Sequence, residues 1–418
     1  MRVFKFGGKS LIDANGVKNV AKILKSEGAD EKLIIVSAMG KTTRALENVI
    51  DQYYYKHEGL KDSIELIKKN HFKTIEGLFE DSAEVKYQID QYFSEINIFL
   101  EKNKSKNYNY IYDQIICYGE LISSAIVSKY LNSVGIENEW IDVRSYIKTD
   151  ANYREAVVNW QLTHENIGKL DRKKLYLTQG FLGGAESGET TSLGLEGSDF
   201  SGGIFAYCLN AESLTIWKDV EGVLNADPRY FEDTELLKHI SYEDAAEMTY
   251  YGASVIHPKT LKPLQNKQIP LYVRSYINTA NKGTTVGFGT TTKPACPFFM
   301  LKESQVFLAA RTTDFSLISP HQISMLFELI SKYQFNINIV QKKAIGLELC
   351  LEDKFNNLDL LIKEVRKLFS INYTENCKLY TVKYPNGNQD KVLQINRPIL
   401  MKQTNLDTLQ VLISGAND

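Results

Sequence analysis

The sequence predicts a large α/β domain with a parallel-rich sheet between helices, followed by a smaller α+β domain. Three observations support this fold class. Short apolar strands, glycine turns and amphipathic helices alternate through the first part of the chain, which is typical of a sheet covered by helices. Near residues 280–297 the composition changes to Gly, Thr and Pro without helical periodicity. Beyond it, the order strand, helix, strand, strand, helix, strand is ferredoxin-like.

Composition and charge argue against several classes of protein for this chain: nucleic-acid-binding, disulfide-rich, zinc-binding and membrane-spanning proteins. The chain has 418 residues, 43% hydrophobic and 24% charged, enough for cores in two or three domains. Its 49 basic and 51 acidic side chains lack the basic excess of a nucleic-acid surface. The five cysteines are scattered, and no apolar run approaches ~18 residues, so we expect no disulfide framework, no zinc site and no membrane span. A cytoplasmic protein with neither a nucleic-acid nor a membrane partner is the simplest interpretation.

The first two structural units repeat one pattern. Residues 3–6 are a predicted strand, followed by the turn at Gly7 and Gly8 and by a helix with an apolar stripe from 17 to 24. Residues 33–36 are a second buried strand, and SAMGK leads into a helix with the same spacing. Residues 57–112 have a mostly helical pattern, which we interpret as a helical insertion or lid.

The rest of the large domain continues this alternation. We predict a strand at 115–118, a turn at Gly119 and Glu120, and a helix that ends near Gly135. Gly183, Gly184 and Gly188 indicate a hairpin tip. Further strands are expected at 139–143, 175–182 and 214–217, and residues 190–199 are predicted as a polar glycine loop entering a helix. The large domain should therefore occupy residues 1–290.

The second domain should occupy residues 300–418. Its predicted strands are 306–310, 315–318, 337–340 and 347–351, and its predicted helices are 323–330 and 358–365. The tail adds a reduced second set of strands near 379–382, 392–395 and 409–413.

Lys5 is the first candidate for chemistry. It lies within an apolar strand, where a cation is costly without an anionic partner. Gly7, Gly8 and Ser10 follow where the strand ends and a helix begins, so freed backbone N–H groups can approach an anion. A Gly-Gly turn by itself is equally typical of an ordinary tight turn, and the spacing of a Walker A loop is absent.

Three further segments lie at strand or helix ends of the same predicted domain. The loops 37–43 and 190–199 combine small residues and hydroxyls with helix starts, and Ser198 and Asp199 close the second loop. The segment 216–229 supplies four charged side chains: Lys218, Asp219, Asp227 and Arg229. Each residue alone is as typical of a helix N-cap or a solvated loop as it is of a binding site. Together they suit a nucleotide and its Mg²⁺ in the crevice where α/β proteins bind ligands.

These segments resemble the aspartate kinases of the amino-acid kinase superfamily. The resemblance covers nearly the whole first domain, in the family's order: KFGG with Ser10, VSAMGKTT, GELIS, TQGFLG, the TT-SLG-GSD loop, WKDVEGVLNADPR, AAEM and YGASVIHP. It implies an amino-acid-kinase-type sheet and transfer of the ATP γ-phosphoryl group to the β-carboxylate of L-aspartate. In the family this is the first step towards lysine, threonine and methionine. Phosphoryl transfer mainly requires positioning and charge neutralisation, which these residues suit.

The resemblance also implies roles for individual residues. Lys5 would stabilise the transferring phosphoryl group, and Asp199 would orient that lysine. The implied ATP contacts are Lys5, Gly7, Gly8, Ser10, Lys218, Asp219, Asp227 and Arg229. The implied aspartate contacts are Thr43, Glu120 and Ser198, with Glu120 suited to the substrate ammonium group. Mg²⁺ would be held mainly by phosphate oxygens, without metal ligands from the protein.

Three positions depart from the family pattern. Lys9 follows the KFGG motif where the family has threonine, and Ser254 stands where some members have an ATP-contacting lysine. Leu195 replaces an arginine that normally binds an acidic group of the substrate, a contact that leucine cannot make. Lys9 or Lys41 would have to replace that cation, or aspartate binds poorly. Two alternatives stay open: a catalytically impaired regulatory paralogue, and a kinase for another small carboxylate.

The second domain resembles the family's ACT-type regulatory region more loosely. ACT domains bind amino acids between paired domains, so the resemblance implies a homodimer through this region and an amino-acid effector. Asn338 and Gln341 fall near the expected effector turn, whereas Lys342 and Lys343 do not match the lysine-sensing pattern.

Overall fold

The computed structural model describes residues 1–28, 31–194, 196–253, 256–289, 292–386 and 397–415. The chain forms two compact units. The first comprises Met1–Val223, Leu236–Ala246 and Val255–Pro294, and the second comprises Leu224–Glu235, Glu247–Ser254 and Ala295–Asp418. The predicted strand at 392–395 and the side chains of Leu195 and Ser254 lie outside the described residues. No helix within the described ranges is long and apolar enough to cross a membrane.

From Met1 to Pro294 the chain alternates strands with helices. The strands are β1 Arg2–Phe6, β2 Lys32–Val36, β3 Glu139–Trp140, β4 Lys148–Thr149, β5 Tyr176–Gln179, β6 Leu182–Ala185, β7 Thr190–Ser192, β8 Leu214–Lys218, β9 Val223–Leu224, β10 Leu236–Leu237, β11 His239–Ser241, β12 Leu271–Ser275 and β13 Thr284–Gly287. The helices are α1 Ala14–Ser26, α2 Thr42–Tyr55, α3 Leu60–Leu78, α4 Ala83–Lys102, α5 Tyr108–Ser133, α6 Val143–Tyr146, α7 Trp160–Ile167, α8 Gly197–Leu209, α9 Tyr242–Tyr250 and α10 Pro258–Lys267, with a 3-10 turn at Gly8–Leu11.

The first unit is built on an eight-stranded sheet of order β11-β13-β12-β8-β1-β2-β5-β3. Strands β12 and β13 pair antiparallel, and the other neighbours pair parallel. Because side chains alternate along a strand, Phe4 and Phe6 enter the core formed with helices α1 to α5. Lys5 lies on the opposite face, where α8 packs on β1 and β8. Helices therefore cover both faces, which confirms the predicted parallel-rich sheet between helices.

Helix α5 is the largest departure from the sequence prediction. Residues 115–118, predicted as a strand, and Gly119 and Glu120, predicted as a turn, all lie inside this 26-residue helix. The helix is buried on nearly every side, so it lacks the polar stripe of a surface helix. The periodicity of a short apolar run is the same for a buried strand and a buried helix, so it does not distinguish between them. Glu120 consequently projects from the side of a helix, not from a turn.

Several glycine-bearing segments also differ from the prediction. The run 175–182 is split into β5 and β6 at Gly180. Of the glycines predicted at a hairpin tip, Gly183 and Gly184 lie within β6, and Gly188 lies in the turn between β6 and β7. Strand β6 pairs antiparallel with β7, so the predicted loop 190–199 begins as a strand. The predicted strand 139–143 ends at Trp140, and the stretch 280–297 contains β13. Short strands depend on neighbours that complete their hydrogen bonds, and a single sequence does not show those neighbours.

The second unit contains a six-stranded antiparallel sheet of order β15-β16-β14-β17-β19-β18. Its strands are β14 Phe298–Arg311, β15 Asn336–Lys343, β16 Gly346–Glu352, β17 Ser370–Lys383, β18 Ile399–Thr404 and β19 Thr408–Ile413, and its helices are α11 Pro320–Lys332 and α12 Leu358–Val365. The order β14-α11-β15-β16-α12-β17 confirms the ferredoxin-like pattern. The predicted strand at 315–318 is wrong. Phe315 has a φ of 60° and is 80% exposed, so its backbone is not in the extended conformation of a strand and its side chain does not pack against the core.

Helix α12 offers a matched pair of leucines for testing this core. Leu361 is fully buried, whereas its neighbour Leu360 is 52% exposed. We expect Leu361→Ala to lower the free energy of unfolding by roughly 2–5 kcal/mol, because truncation leaves a cavity. Leu360→Ala should change it by less than about 0.5 kcal/mol. Urea denaturation followed by circular dichroism measures both variants, and equal losses would contradict this packing.

Candidate functional site

A buried cluster of charges joins the ends of two strands to the start of a helix. Lys5 Nζ, from β1, lies 2.7 Å from Asp199 Oδ1 in the first turn of α8. Lys218 Nζ, at the end of the neighbouring strand β8, lies 3.7 Å from Asp199 Oδ2. The parallel pairing of β1 with β8 brings the two lysines to the same edge of the sheet. Asp199 is thus the anionic partner that the sequence required for Lys5.

The two lysines determine the charge of Asp199. Burial alone would raise the pKa of this carboxyl, but the Lys5 and Lys218 ammonium groups outweigh burial and hold the pKa below its ordinary value. Asp199 therefore stays ionised and orients both ammonium groups. Two fixed cations in a buried position are suited to neutralise charge that develops on a bound phosphoryl group.

Glu196 is a second carboxylate beside this cluster, and the sequence reasoning missed it. It directly precedes α8 with a φ of 54°, in the left-handed region. Its Oε2 atom is buried and has no hydrogen-bond partner among the described residues. Burial raises the pKa of Glu196, Lys218 lowers it, and Asp199 raises it again. The signal available in the sequence was an acidic side chain immediately before the GSD triplet.

The loops after β1 and β2 lie against each other. The Gly40 N–H donates a hydrogen bond of 3.0 Å to the carbonyl of Gly8. A Cβ at Gly8 would lie 2.5 Å from the carbonyl oxygen of Ala38, so only glycine fits. A Cβ at Gly7 would lie 3.5 Å from Lys5 Nζ. Bare backbone and a buried ammonium group therefore share one surface, which fits an anionic phosphate.

Ser10 follows these glycines in the 3-10 turn. Its buried hydroxyl donates to the carbonyl of Gly7 at 2.6 Å. The hydroxyl predicted to contact phosphate thus holds the turn in this structure.

Glu120 provides a buried carboxyl on the inner side of α5. Only 4% of the residue is exposed, and its Oε2 atom has no hydrogen-bond partner among the described residues. Burial raises the pKa of Glu120 to about 8, although the Lys5 charge and a hydrogen bond from the Ala38 backbone act to lower it. A buried carboxyl whose Oε2 atom accepts no hydrogen bond from the described residues suits a cationic group on a ligand.

Two neutral side chains accompany these carboxyls. Thr43 lies in the first turn of α2, and Ser198 lies in the first turn of α8. Ser198 packs against Gly180, since a Cβ at Gly180 would lie 2.6 Å from Ser198 Cβ. The glycine of the TQG motif is therefore needed for space next to Ser198.

The remaining predicted residues form two separate pairs. Lys9, which is largely exposed, lies 2.8 Å from Asp219 in the first unit. Asp227 and Arg229 belong to the second unit, where they pair with each other at 2.5 Å. Within the described ranges, no cluster of His, Cys, Asp and Glu has the arrangement of a metal site.

The first part of the chain matches a known family model. The model of the amino acid kinase family matches residues 1–275. Lysine-sensitive aspartokinase 3 of Escherichia coli (strain K12) is 27% identical over 359 residues, which are 84% of this chain and 78% of that protein. The chloroplastic bifunctional aspartokinase/homoserine dehydrogenase 2 of Arabidopsis thaliana is 28% identical over 295 residues, which are 68% of this chain. The chain spans only 32% of the length of that bifunctional relative. These matches confirm the resemblance drawn from the motifs.

Solved structures share the fold. The crystal structure of E. coli aspartokinase III in complex with aspartate and ADP has a TM-score of 0.85 at 24% identity, covering 99% of this chain and 96% of that one. The same E. coli protein in complex with lysine and aspartate has a TM-score of 0.80 at 24% identity, with the same coverage. Aspartate kinase of Clostridium acetobutylicum has a TM-score of 0.78 at 22% identity, again with that coverage. The likeness extends over both units and establishes the fold.

Glu120 should impose a pH dependence on stability. Its pKa is raised from 4.5 to about 8, so between these values the folded state keeps a proton that the unfolded state has released. The free energy of unfolding therefore falls as pH rises through this interval. We expect the stability gain of Glu120→Gln over the wild type to grow by on the order of a few kcal/mol between about pH 5 and about pH 8.5. Urea denaturation at both pH values measures this difference, and parallel pH profiles would show that Glu120 ionises normally.

Proposed function

The chain belongs to the amino acid kinase family, and on that premise we propose that it is an ATP-dependent aspartate kinase. It transfers the γ-phosphoryl group of ATP to the β-carboxylate of L-aspartate and forms 4-phospho-L-aspartate. The observation that carries the proposal is the buried cluster of Lys5, Asp199 and Lys218 beside the Gly7-Gly8 turn. Relatives that are themselves named aspartokinases support this substrate.

The chemistry follows from charge and position. A β-carboxylate oxygen of aspartate bonds to the γ-phosphorus, while the bond from that phosphorus to the β,γ-bridging oxygen breaks and ADP leaves. Lys5 offsets the negative charge that develops on the transferring group. Asp199 accepts no proton, because its low pKa keeps it ionised, and its function is to hold the two lysines in place. Gly7, Gly8 and Ser10 form the backbone surface against which the phosphates lie.

Aspartate occupies the neighbouring region in this proposal. The unpaired Glu120 oxygen receives the substrate ammonium group, and Thr43 and Ser198 supply hydroxyls at two helix starts. Mg²⁺ bound together with ATP would be held mainly by phosphate oxygens and would neutralise phosphate charge. The roles of Asp219, Asp227 and Arg229 as ATP contacts rest on the resemblance alone.

The second unit is proposed to be regulatory. As an ACT-type region it would bind an amino-acid effector and join two chains into a homodimer in the cytoplasm. The side chains near the expected effector turn are engaged within the unit: Lys302 Nζ donates to Asn338 Oδ1 at 2.8 Å, and Gln341 Nε2 donates to the Lys402 carbonyl at 2.7 Å. The lysine complex of the E. coli relative supports an amino-acid ligand without identifying it for this chain.

The activity can be tested by trapping its product. The wild-type protein, incubated with ATP, Mg²⁺, L-aspartate and hydroxylamine, should form aspartyl hydroxamate and release an equal amount of ADP. Lys5→Met keeps most of the aliphatic stem but removes the cation, so kcat should fall by about a hundredfold or more. Lys174→Met is the control: it removes a lysine from an exposed ion pair with Glu139 at 3.1 Å and should leave kcat unchanged.

Two results would contradict the proposal. Wild-type protein that binds ATP but forms no aspartate-dependent hydroxamate would favour the regulatory paralogue or another carboxylate substrate. Full activity of Lys5→Met would show that Lys5 has another role.

Aspartate binding should also release a proton. At about pH 7 the free protein holds Glu120 protonated, since its pKa is about 8, and an ammonium partner lowers that pKa. Calorimetric titration of aspartate in two buffers of different ionisation enthalpy measures the released protons. We expect up to about one proton for the wild type and none from this site for Glu120→Gln. Equal proton release by both proteins would separate Glu120 from the substrate ammonium group.

A further inference from the structure

The nucleotide of the proposed kinase brings a divalent cation with it, and one carboxylate beside the lysine cluster has the chemistry to bind that cation. We propose that Glu196 ligates the nucleotide-bound Mg²⁺ through its unpaired oxygen, while phosphate oxygens supply most of the other ligands. The assignment rests on the proposed function only in that ATP binds beside Lys5 and Lys218. It does not depend on which small carboxylate receives the phosphoryl group.

Glu196 is fixed at the start of α8, next to the buried charges. Its carbonyl accepts the Asp199 N–H at 3.0 Å and the Phe200 N–H at 3.2 Å. Its φ of 54° is in the left-handed region, which is costly for a residue other than glycine and is typical of functional sites. Of the charged groups that shift its pKa, Lys218 has the largest effect, followed by Asp199 and Lys5. The Glu196 carboxyl therefore shares the electrostatic surroundings of both lysines.

Glu196 also keeps an acceptor that the neighbouring aspartates do not offer. Its Oε2 atom is buried and has no hydrogen-bond partner among the described residues. Asp199 has lysine ammonium groups 2.7 and 3.7 Å from its two oxygens, and Asp219 lies 2.8 Å from Lys9. In the proposed function, the unpaired Glu120 oxygen receives the substrate ammonium group. A cation that arrives with the nucleotide thus meets an uncommitted oxygen at Glu196.

The charge of the cluster indicates that a cation is needed between Glu196 and the phosphates. Lys5 and Lys218 carry two positive charges, and Asp199 offsets one of them. An ionised Glu196 offsets the other, so the cluster by itself has no net charge to attract a polyphosphate. A shared Mg²⁺ replaces the repulsion between carboxylate and phosphate by a contact that both make with the metal.

The donor set fits this ion. Mg²⁺ is commonly bound by one or two carboxylates together with substrate phosphates. A single protein carboxylate also agrees with the finding that, in the part of the chain that the structure describes, no group of three or more His, Cys, Asp or Glu side chains could hold a metal ion by itself. The metal site would therefore be completed only when the nucleotide binds.

The test measures nucleotide affinity with and without the metal and needs no turnover. ADP is titrated by calorimetry into the 418-residue wild type and into Glu196→Gln, in EDTA and in saturating Mg²⁺. A pH of about 8 favours the ionised carboxylate. We expect Glu196→Gln to weaken binding of ADP with Mg²⁺ by roughly tenfold, because a metal ligand is lost. Metal-free ADP should bind about two- to fivefold more tightly, because a repelling charge is removed.

A second measurement reports on the metal directly. Free Mn²⁺, followed by electron paramagnetic resonance, gives the affinity of the protein–ADP complex for the metal. Glu196→Gln should lower that affinity by roughly 10- to 100-fold. Glu196→Asp keeps a carboxylate on a shorter stem and should retain part of the affinity.

Two further variants separate the carboxylate from its surroundings. Glycine suits a φ of 54°, so Glu196→Gly removes the carboxylate without straining the loop and should reproduce the effect of Glu196→Gln. Glu165→Gln is the matched control: it removes an exposed carboxylate that accepts a hydrogen bond from Gln161 at 3.2 Å, and it should leave every affinity unchanged.

Two results would overturn the assignment of Glu196. An equal loss of ADP affinity with and without Mg²⁺ would give this residue a purely structural function. Tighter binding of metal-free ADP with an unchanged Mn²⁺ affinity would mean that Glu196 only balances the lysine charges. Failure of the proposed function is a different result: the wild type would bind ADP with its metal but form no product from L-aspartate.

Discussion

The buried ion pair between Lys5 and Asp199 is the constraint on which the rest of the first unit depends. Removing two charges from water costs several kcal/mol per ion unless their geometry compensates, and deleting one partner leaves the other unpaired. Lys5 is positioned by the central strand β1 and Asp199 by the first turn of α8. The sheet order and the packing of α8 must therefore be correct before the charges can meet. Lys218, from the adjacent strand, lies 3.7 Å from the second oxygen of the same carboxylate.

The surroundings of this pair are tightly packed where structure is needed and leave polar atoms unpaired where a ligand would bind. Gly8 and Gly180 leave no room for a side chain, and Asp113 has three hydrogen bonds that join Arg154 to Ser192 of β7. In contrast, Glu120 and Glu196 each keep a buried oxygen without a hydrogen-bond partner in the described part of the chain. A buried acceptor without a hydrogen bond lowers the stability of the protein. Such acceptors are typical of groups that complete their hydrogen bonding only when a ligand binds.

The sequence predicted most of the architecture but misassigned elements whose patterns are ambiguous. Strands β1, β2 and β8 and helices α1, α2, α11 and α12 were recognisable because each shows a clear period of two or 3.6 residues or a clear apolar run. Helix α5 was not, since burial on nearly every side removes its polar stripe. At 315–318 Phe315 and Leu317 are exposed and only Ile318 is buried, so local hydrophobicity indicated a strand that tertiary packing does not form.

By itself, the amino-acid sequence determined the fold class, the family and the requirement that Lys5 meet an anion. Those properties depend on local order along the chain: motif spacing, periodicity and a cation inside an apolar strand. Only the tertiary structure decided which partner each buried carboxylate meets, because 194 positions separate Lys5 from Asp199, and 41 separate Asp113 from Arg154, whose backbone N–H donates to it. Burial likewise decided the protonation of Glu120, since a pKa responds to the solvent and charges that folding removes or brings close.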